Sequence, residues 1–362
     1  MMRIEGSRRL SVRVFIHEFV TGGGMADRAL VPSWAAEGGS MREALAREFS
    51  AGFHDPATTE IVVSLDHRLA ADSGPAKVVR VGPGEEERVV REQARRADLT
   101  LVIAPETDGL LETRVHWVEH EGLTSIGSRP SAIRATADKL ETARIFAKRE
   151  VRTPPTRRFS KLEGLPRDFR YPAVLKPIDG AGSLDTWIVE SADDRRVIDR
   201  YPHPSGVLQP WLAGEPMSAG FLVGASGKGR LVAAAKQRIV VEAGAVRYAG
   251  GCLVPSVESV DGHVRRAIEA VGGLRGFVGV DYLWDSETRR ATVIEINPRP
   301  TTSLTAMLER LAPGTLAREW TRLLADETVD GSSLPPLLQC DSEHEFGAGV
   351  APAFRGDDVD HE

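Results

Sequence analysis

The chain has 362 residues, 41% hydrophobic and 27% charged, which is the composition of a soluble globular protein and too long for one ordinary core. Its formal charge of −6 lies wholly in the tail, where Asp341, Glu343, Glu345, Asp357, Asp358, Asp360 and Glu362 face only Arg355, so the body is balanced and shows no basic footprint for nucleic acid. There is no run of ~18 apolar residues to span a membrane and no signal-peptide pattern at the N-terminus, and the two distant cysteines, Cys252 and Cys340, fit a reducing, cytoplasmic setting.

In chain order, an apolar strand over residues 12–20 carries Val12, Val14 and Ile16 to Glu18 and runs into Thr21-Gly22-Gly23-Gly24. Ser40 and Glu43 have capping-box spacing, which predicts a helix from Ser40. A strand at 61–65, a charged helix at 85–97, a continuous apolar strand at 99–104 and a helix near 110–120 follow. This alternation predicts a parallel sheet covered on both faces, ending near residue 130. One helix over 131–150 is expected next, with Lys139 in its middle. The strand "AVLKP" leads to a glycine-rich turn, "IDGAGS". A strand near 186–190 and a short helix at 193–199 follow. Strands at 217–223, 230–241, 276–284 and 292–297 read as antiparallel, with helices at 262–271, 304–311 and 316–325. The expected fold is α/β followed by α+β. Its units are 1–130, 131–215, 216–330 and a disordered acidic tail at 331–362.

Within "GFVGVDYLWDSETRRATVIEINP", two apolar runs flank a polar turn and predict a hairpin. A turn centred on Thr288 sets Asp281 opposite Glu295, and two facing carboxylates repel. Oxygen donors without Cys or His favour a hard ion such as Mg²⁺. Asn297 adds an amide oxygen two residues on. Because Mg²⁺ commonly shares its shell with phosphates, the hairpin predicts a nucleotide above it. Lys176 stands inside an apolar strand and is the best phosphate candidate. Gly180, Gly182 and Ser183 supply a turn whose N–H groups can wrap anionic oxygens, although no P-loop pattern occurs. In "QPWLAGEPMS", Trp211 and Leu212 suit an adenine wall, the backbone of Gln209 to Leu212 its edge, and Glu215 the ribose hydroxyls.

The pieces "ADK" at 137–139, "VLKPIDGAGS" at 174–183, "LQPWLAGEPMS" at 208–218, "GVDYLW" at 279–284 and "VIEINPRPTTS" at 293–303 together resemble the ATP-grasp superfamily of carboxylate–amine ligases. "HEFVTGGG", "IAPE", "KQRIV…YAGG" and "EINPRPTTS" look most like its tyramine–glutamate ligase group. The resemblance implies an N-terminal parallel-sheet domain and two lobes clamping ATP. Lys139 and Lys176 would then meet phosphates, and Asp281, Glu295 and Asn297 would hold Mg²⁺, with Mn²⁺ as a substitute. It further implies an acyl phosphate intermediate, with glutamate as the acid and tyramine or a related aromatic amine as acceptor. Pro210 departs from the pattern, standing where a Glu is expected and removing an N–H.

Arg299, Lys236 and Arg238 are then the candidates to hold the transferring phosphoryl group. For the small substrates, Glu18, Gly22, Gly23, Gly24 and Glu106 lie at neighbouring strand ends of the N-terminal sheet, where such sheets bind ligands. Tyr248, Gly250 and Gly251 are expected in a loop over the substrate. The partners expected are a small acid and a small amine, with monomer and homodimer both open. Two alternatives stand beside this reading: a ligase for another amino acid or dipeptide, and a nucleotide-binding regulator without chemistry.

Overall fold

The computed structural model describes residues 11–53, 58–71, 74–180, 183–255, 258–260, 262–340 and 342–347. The first part alternates β1 (Val12–Glu18), α1 (Pro32–Gly52), β2 (Thr59–Asp66), β3 (Lys77–Val81), α2 (Glu86–Arg95), β4 (Leu99–Ile103) and α3 (Leu110–Glu119). Its strands pair in parallel in the order β3-β2-β1-β4. Helices cover both faces, which is why β1 is apolar on both. Val14 and Ile16 pack with Leu45 and Phe49 of α1, while Phe15 packs with Val90 of α2 and Val115 of α3.

Two expectations change here. α1 begins at Pro32, a residue suited to the first helical turn, and Ser40 is mid-helix rather than a cap. β3 is a strand the sequence pattern does not announce, because Lys77 and Arg80 interrupt its apolar run at the edge of the sheet.

The helix expected over 131–150 is two helices, α4 (Pro130–Ala137) and α5 (Lys139–Lys148). Asp138 divides them. Its backbone is extended, and its carboxylate accepts from the N–H groups of Leu140 and Glu141 at 2.8 and 3.0 Å. This N-cap restarts the helix with Lys139 as its first residue.

A central lobe follows, built from β5 (Arg157–Ser160), β6 (Ala173–Lys176), β7 (Trp187–Val189), α6 (Arg195–Arg200) and β8 (Ser205–Pro210). The C-terminal lobe contains β9 (Glu215–Val223), β10 (Gly229–Glu242), β11 (Ala245–Val254), α7 (Gly262–Ala270), β12 (Gly276–Asp285), β13 (Arg290–Asn297), α8 (Ser303–Arg310), α9 (Thr315–Ala325) and β14 (His344–Gly347). Their strands form one antiparallel sheet, ordered β13-β12-β9-β10-β11-β7-β6-β8-β5, with β14 on β11. The lobes join within it through a single residue pair, Ala245 opposite Trp187.

The expected units shift accordingly. α4 and α5 pack on the C-terminal lobe, where Ala132, Phe146 and Val151 share a core with Met217, Val278 and Ile296. The central lobe has its own core around Phe159, Leu175, Tyr201 and Leu208. The disordered tail expected from residue 331 does not begin there. Leu337 and Leu338 donate their backbone N–H to Leu231 and Val232, and β14 extends the edge of β11. Leu334, Leu337, Leu338 and Phe346 add apolar surface to the core, a signal that the acidic average of the tail conceals. Residues 348–362 lie outside the described residues, among which no helix is long and apolar enough to cross a membrane.

Glu48 of α1 ties the N-terminal part to the C-terminal lobe. Its buried carboxylate accepts from the N–H groups of Gly314, Leu316 and Ala317 at 2.9, 2.7 and 3.2 Å, at the start of α9.

Glu86 supplies a second anchor. It accepts from Arg114 Nε at 2.7 Å and Nη2 at 2.6 Å, and lies 2.9 Å from His17 Nε2. Burial alone would raise its pKa, but His17 and Arg114 outweigh that and hold the carboxyl at about 2 instead of 4.5. A depressed carboxyl stabilises the fold above its unfolded pKa and loses that contribution as pH falls through the folded one. Glu86→Gln is expected to reduce unfolding free energy at neutral pH on the order of 3 kcal/mol. The deficit should shrink as pH falls from 4.5 towards 2. Urea denaturation across that range measures it, and a deficit that ignores pH would assign the effect to packing rather than charge.

Candidate active site

A cleft of about 530 Å³ is lined from both lobes. On its floor, the β12–β13 ladder sets Asp281 opposite Glu295. A symmetric turn about Thr288 is not what aligns them. The ladder runs from Asp285 opposite Arg290 to Tyr282 opposite Val293, and then shifts by one residue to bring Glu295 against Asp281. This bulge turns both Ile294 and Glu295 to the cleft while Val293 and Ile296 stay in the core. Without the extra residue, Asp281 would face Ile294.

Asp281 accepts from Gln237 Nε2 at 2.9 Å and from Asn297 Nδ2 at 3.0 Å. Burial, with the adjacent Glu295 carboxylate, pushes its pKa up to about 7. Two half-buried acids and an amide form an all-oxygen donor set that fits a hard divalent cation keeping part of its water shell. Among the described residues, no group of three or more acids, His or Cys is placed to hold a metal, so a closed cage of charged ligands is not what is built.

Lys176, at the end of β6, lines the same cleft. Burial pushes its ammonium down to about 8; Glu295 and Asp281 pull the other way, and nearby Lys139 adds to the fall. Lys139 also lines the cleft, its Nζ donating to the Gly180 carbonyl at 3.0 Å. Gly180 and Ser183 are on the wall, Ser183 with φ at 62°; Gly182 lies outside the described residues. Gln209, Trp211 and Leu212 close one end. Gln209 is buried and bonds Thr156 Oγ1 at 2.8 Å, and the Trp211 N–H is committed to the Pro172 carbonyl at 2.9 Å. Arg299 lines the other end, donating through Nε to Glu106 at 3.0 Å and through Nη1 to the Pro300 carbonyl at 3.1 Å. Burial opposes its charge, yet Glu106 more than offsets this and raises its pKa.

Other expected site residues are not brought to the cleft. Lys236 and Arg238 share a face of β10, but it is the opposite one: Gln237, Ile239 and Val241 line the cleft. Lys236 pairs with Glu215 at 3.0 Å, and Arg238 donates to the Ala249 carbonyl at 2.6 and 3.1 Å. Glu215 follows the same logic, since its neighbours Gly214 and Pro216 line the cleft and it does not. Gly250 and Gly251 are in β11, not a loop. A Cβ on Gly251 would lie 2.8 Å from Phe346 Cζ, so this glycine admits the β14 strap.

At the strand ends of the N-terminal sheet, Glu18 is buried and used by its own chain. It accepts from the N–H groups of Val20 and Thr21 at 3.0 and 2.7 Å and from Thr21 Oγ1 at 2.6 Å. Gly22, Gly23 and Gly24 belong to a π-turn folded beneath it, where a Cβ on Gly24 would lie 2.1 Å from Phe19 Cδ2. Glu106 is buried behind Arg299, and its Oε1 has no partner among the described residues.

Sequence reasoning overlooked Gln237 and Glu37, both on the cleft wall, while Tyr248, expected in a substrate loop, lines the cleft from β11. Gln237 was legible in principle, because it stands between two cations at strand spacing and one parity had to face inward. Glu37 carried no local signal.

Two antiparallel lobes joined at one pair, with two lysines converging above an acidic floor, define a clamp for a nucleoside triphosphate of the ATP-grasp type. The chain carries an ATP-grasp domain preceded by a pre-ATP-grasp domain. Residues 136–303 match the ATP-grasp domain and residues 59–133 the pre ATP-grasp 3 domain. A curated relative, the tyramine–L-glutamate ligase of Methanocaldococcus fervens, is 26% identical over 209 residues. That match spans 58% of this chain and 61% of the relative's length. Among solved structures, an ATP-grasp superfamily protein from Archaeoglobus fulgidus superposes with a TM-score of 0.64 at 24% identity, covering 87% of this chain and 89% of that one. The D-alanine–D-alanine ligase of Bacillus anthracis complexed with ATP gives 0.58 at 15% identity, over 86% and 96%. At these identities the two superpositions speak for the fold.

Proposed function

We propose that this chain is an ATP- and Mg²⁺-dependent ligase that activates a small carboxylic acid as an acyl phosphate and joins it to a small amine. The observation that carries the reading is the opposed Asp281 and Glu295 pair, lining the same cleft as Lys176 and Lys139. Glutamate and tyramine are the first pair to test, since a curated relative is named for them.

In this reading the adenine lies against Trp211 and Leu212. Pro210 lacks an N–H and that of Trp211 is committed to Pro172, so the Leu212 N–H and the segment's carbonyls are left for the base edge. Lys176, Lys139 and the Gly180–Ser183 turn hold phosphate oxygens as charge-assisted partners. A divalent ion held by Asp281, Glu295 and the Asn297 amide oxygen would supply neutralisation of phosphate charge. Arg299, fixed by Glu106, faces the acid and the transferring phosphoryl group. A carboxylate oxygen attacks the γ-phosphorus, and the bond to the β–γ bridging oxygen breaks as ADP leaves. The amine then attacks the acyl carbon, loses a proton and expels phosphate. Two anions must meet for the first step, so cationic and preorganised groups carry much of the rate enhancement.

The test incubates the purified protein with ATP, Mg²⁺, L-glutamate and tyramine, measuring ADP and the mass of the amide product. ADP release that depends on the acid, with an amide containing both components, is the expected result. ATP binding without acid-dependent ADP release, over a panel of amino acids, would overturn the ligase reading in favour of a nucleotide-binding regulator.

A further inference from the structure

Among the described residues, the part of the chain before residue 131 contributes one side chain to the cleft wall, Glu37 of α1. Its helix is not free to drift, because Glu48 caps the start of α9 from the same helix through three N–H groups. Thr302 Oγ1 donates to Glu37 Oε1, and no ion pair of Glu37 occurs among the described residues. The cation at this end, Arg299, gives its Nε to Glu106 instead. Two carboxylates therefore share one guanidinium, leaving one negative charge at the cleft wall without a counterpart.

We propose that Glu37 receives the ammonium group of the acid being activated, so that the enzyme selects an amino acid over the same acid lacking its amino group. This rests on the ligase reading above and adds a specificity-determining residue to it. An uncompensated carboxylate in a confined cleft recruits a cation, and Arg299 on the same wall complements a carboxylate, so the pair matches a zwitterion. The acceptor amine is the poorer fit. It must be neutral to attack the acyl carbon, whereas a nitrogen held as ammonium against a carboxylate has no free electron pair. The nitrogen at Glu37 is thus the one that does not react. Thr302 orients the carboxylate by its hydroxyl bond.

Hydroxylamine provides the test, because it replaces the acceptor: it attacks the acyl phosphate, releases phosphate and leaves a hydroxamate that is read as its coloured iron(III) complex. With ATP and Mg²⁺, the full chain is expected to prefer L-glutamate over glutarate by about 10- to 100-fold in kcat/KM, the range of one charge-assisted contact. In Glu37→Gln that ratio should collapse towards one. Equal use of glutamate and glutarate by the unmodified chain would overturn the proposal without recourse to any variant. So would a Glu37→Gln protein that keeps the full preference, since Glu37 would then serve the acceptor or the fold. If the unmodified chain binds ATP but yields hydroxamate from none of the twenty amino acids, the ligase reading itself fails and the inference falls with it.

Discussion

Glu295→Gln is expected to lower acid-dependent ADP release at least about 1000-fold while the protein remains folded. The substitution is nearly isosteric and removes one of two charges that face each other across the β12–β13 ladder. Metal-free protein should lose no stability. Burial and Glu295 together hold Asp281 at about 7 against an ordinary 3.8, so removing the neighbour's charge relieves repulsion. Activity responds in the opposite sense, because the amide leaves a single carboxylate on the floor of the cleft. Melting curves without metal, compared with rates over a Mg²⁺ titration, separate the two effects. A normal rate at ordinary Mg²⁺ would remove Glu295 from the site.

Lys176→Met carries the second large effect, an increase in the ATP concentration needed for half-maximal rate of about 10- to 100-fold. Methionine preserves much of the buried stem and discards the charge. Lys176 is 7% exposed, and its ammonium is held in the cleft against a desolvation cost that brings its pKa down to about 8. A lysine kept there without a partner anion would be a liability, and removing it would leave ATP binding unaltered. Calorimetric titration with a non-hydrolysable ATP analogue reads the difference directly. An unaltered affinity would detach Lys176 from the phosphates.

Sequence pattern made some of this site legible for an identifiable reason. Asp281, Glu295, Asn297 and Arg299 lie within one hairpin and its exit, where local alternation and apolar flanks reveal which residues face together. Lys176 stood out because an isolated lysine contradicts its apolar strand. The pairing of Asp281 with Glu295 was nevertheless inferred from a symmetric turn, whereas a bulge at Ile294 achieves it. Charge alone singles out Lys236 and Arg238 in the sequence. Alternation correctly placed them on one face and left open which face met the ligand. The two glycines of β11 looked like a loop because the strap that pairs with them lies about 95 residues further on.

What the chain's own order of residues determined is most of the elements and the spacing of groups within each: the apolar strands, the acidic hairpin and the lysine in its strand. These depend on neighbours a few residues apart, whose geometry the backbone imposes. Only tertiary structure decided which strand face became cleft and which met solvent, since that depends on where the other lobe and α1 come to rest. It also decided that Glu18 would be consumed by its own turn, that Glu106 would brace Arg299, and that Glu37 would reach a site whose floor lies some 250 residues later. Long-range packing assigns those contacts, because burial and charge pairing are settled between surfaces rather than along the chain.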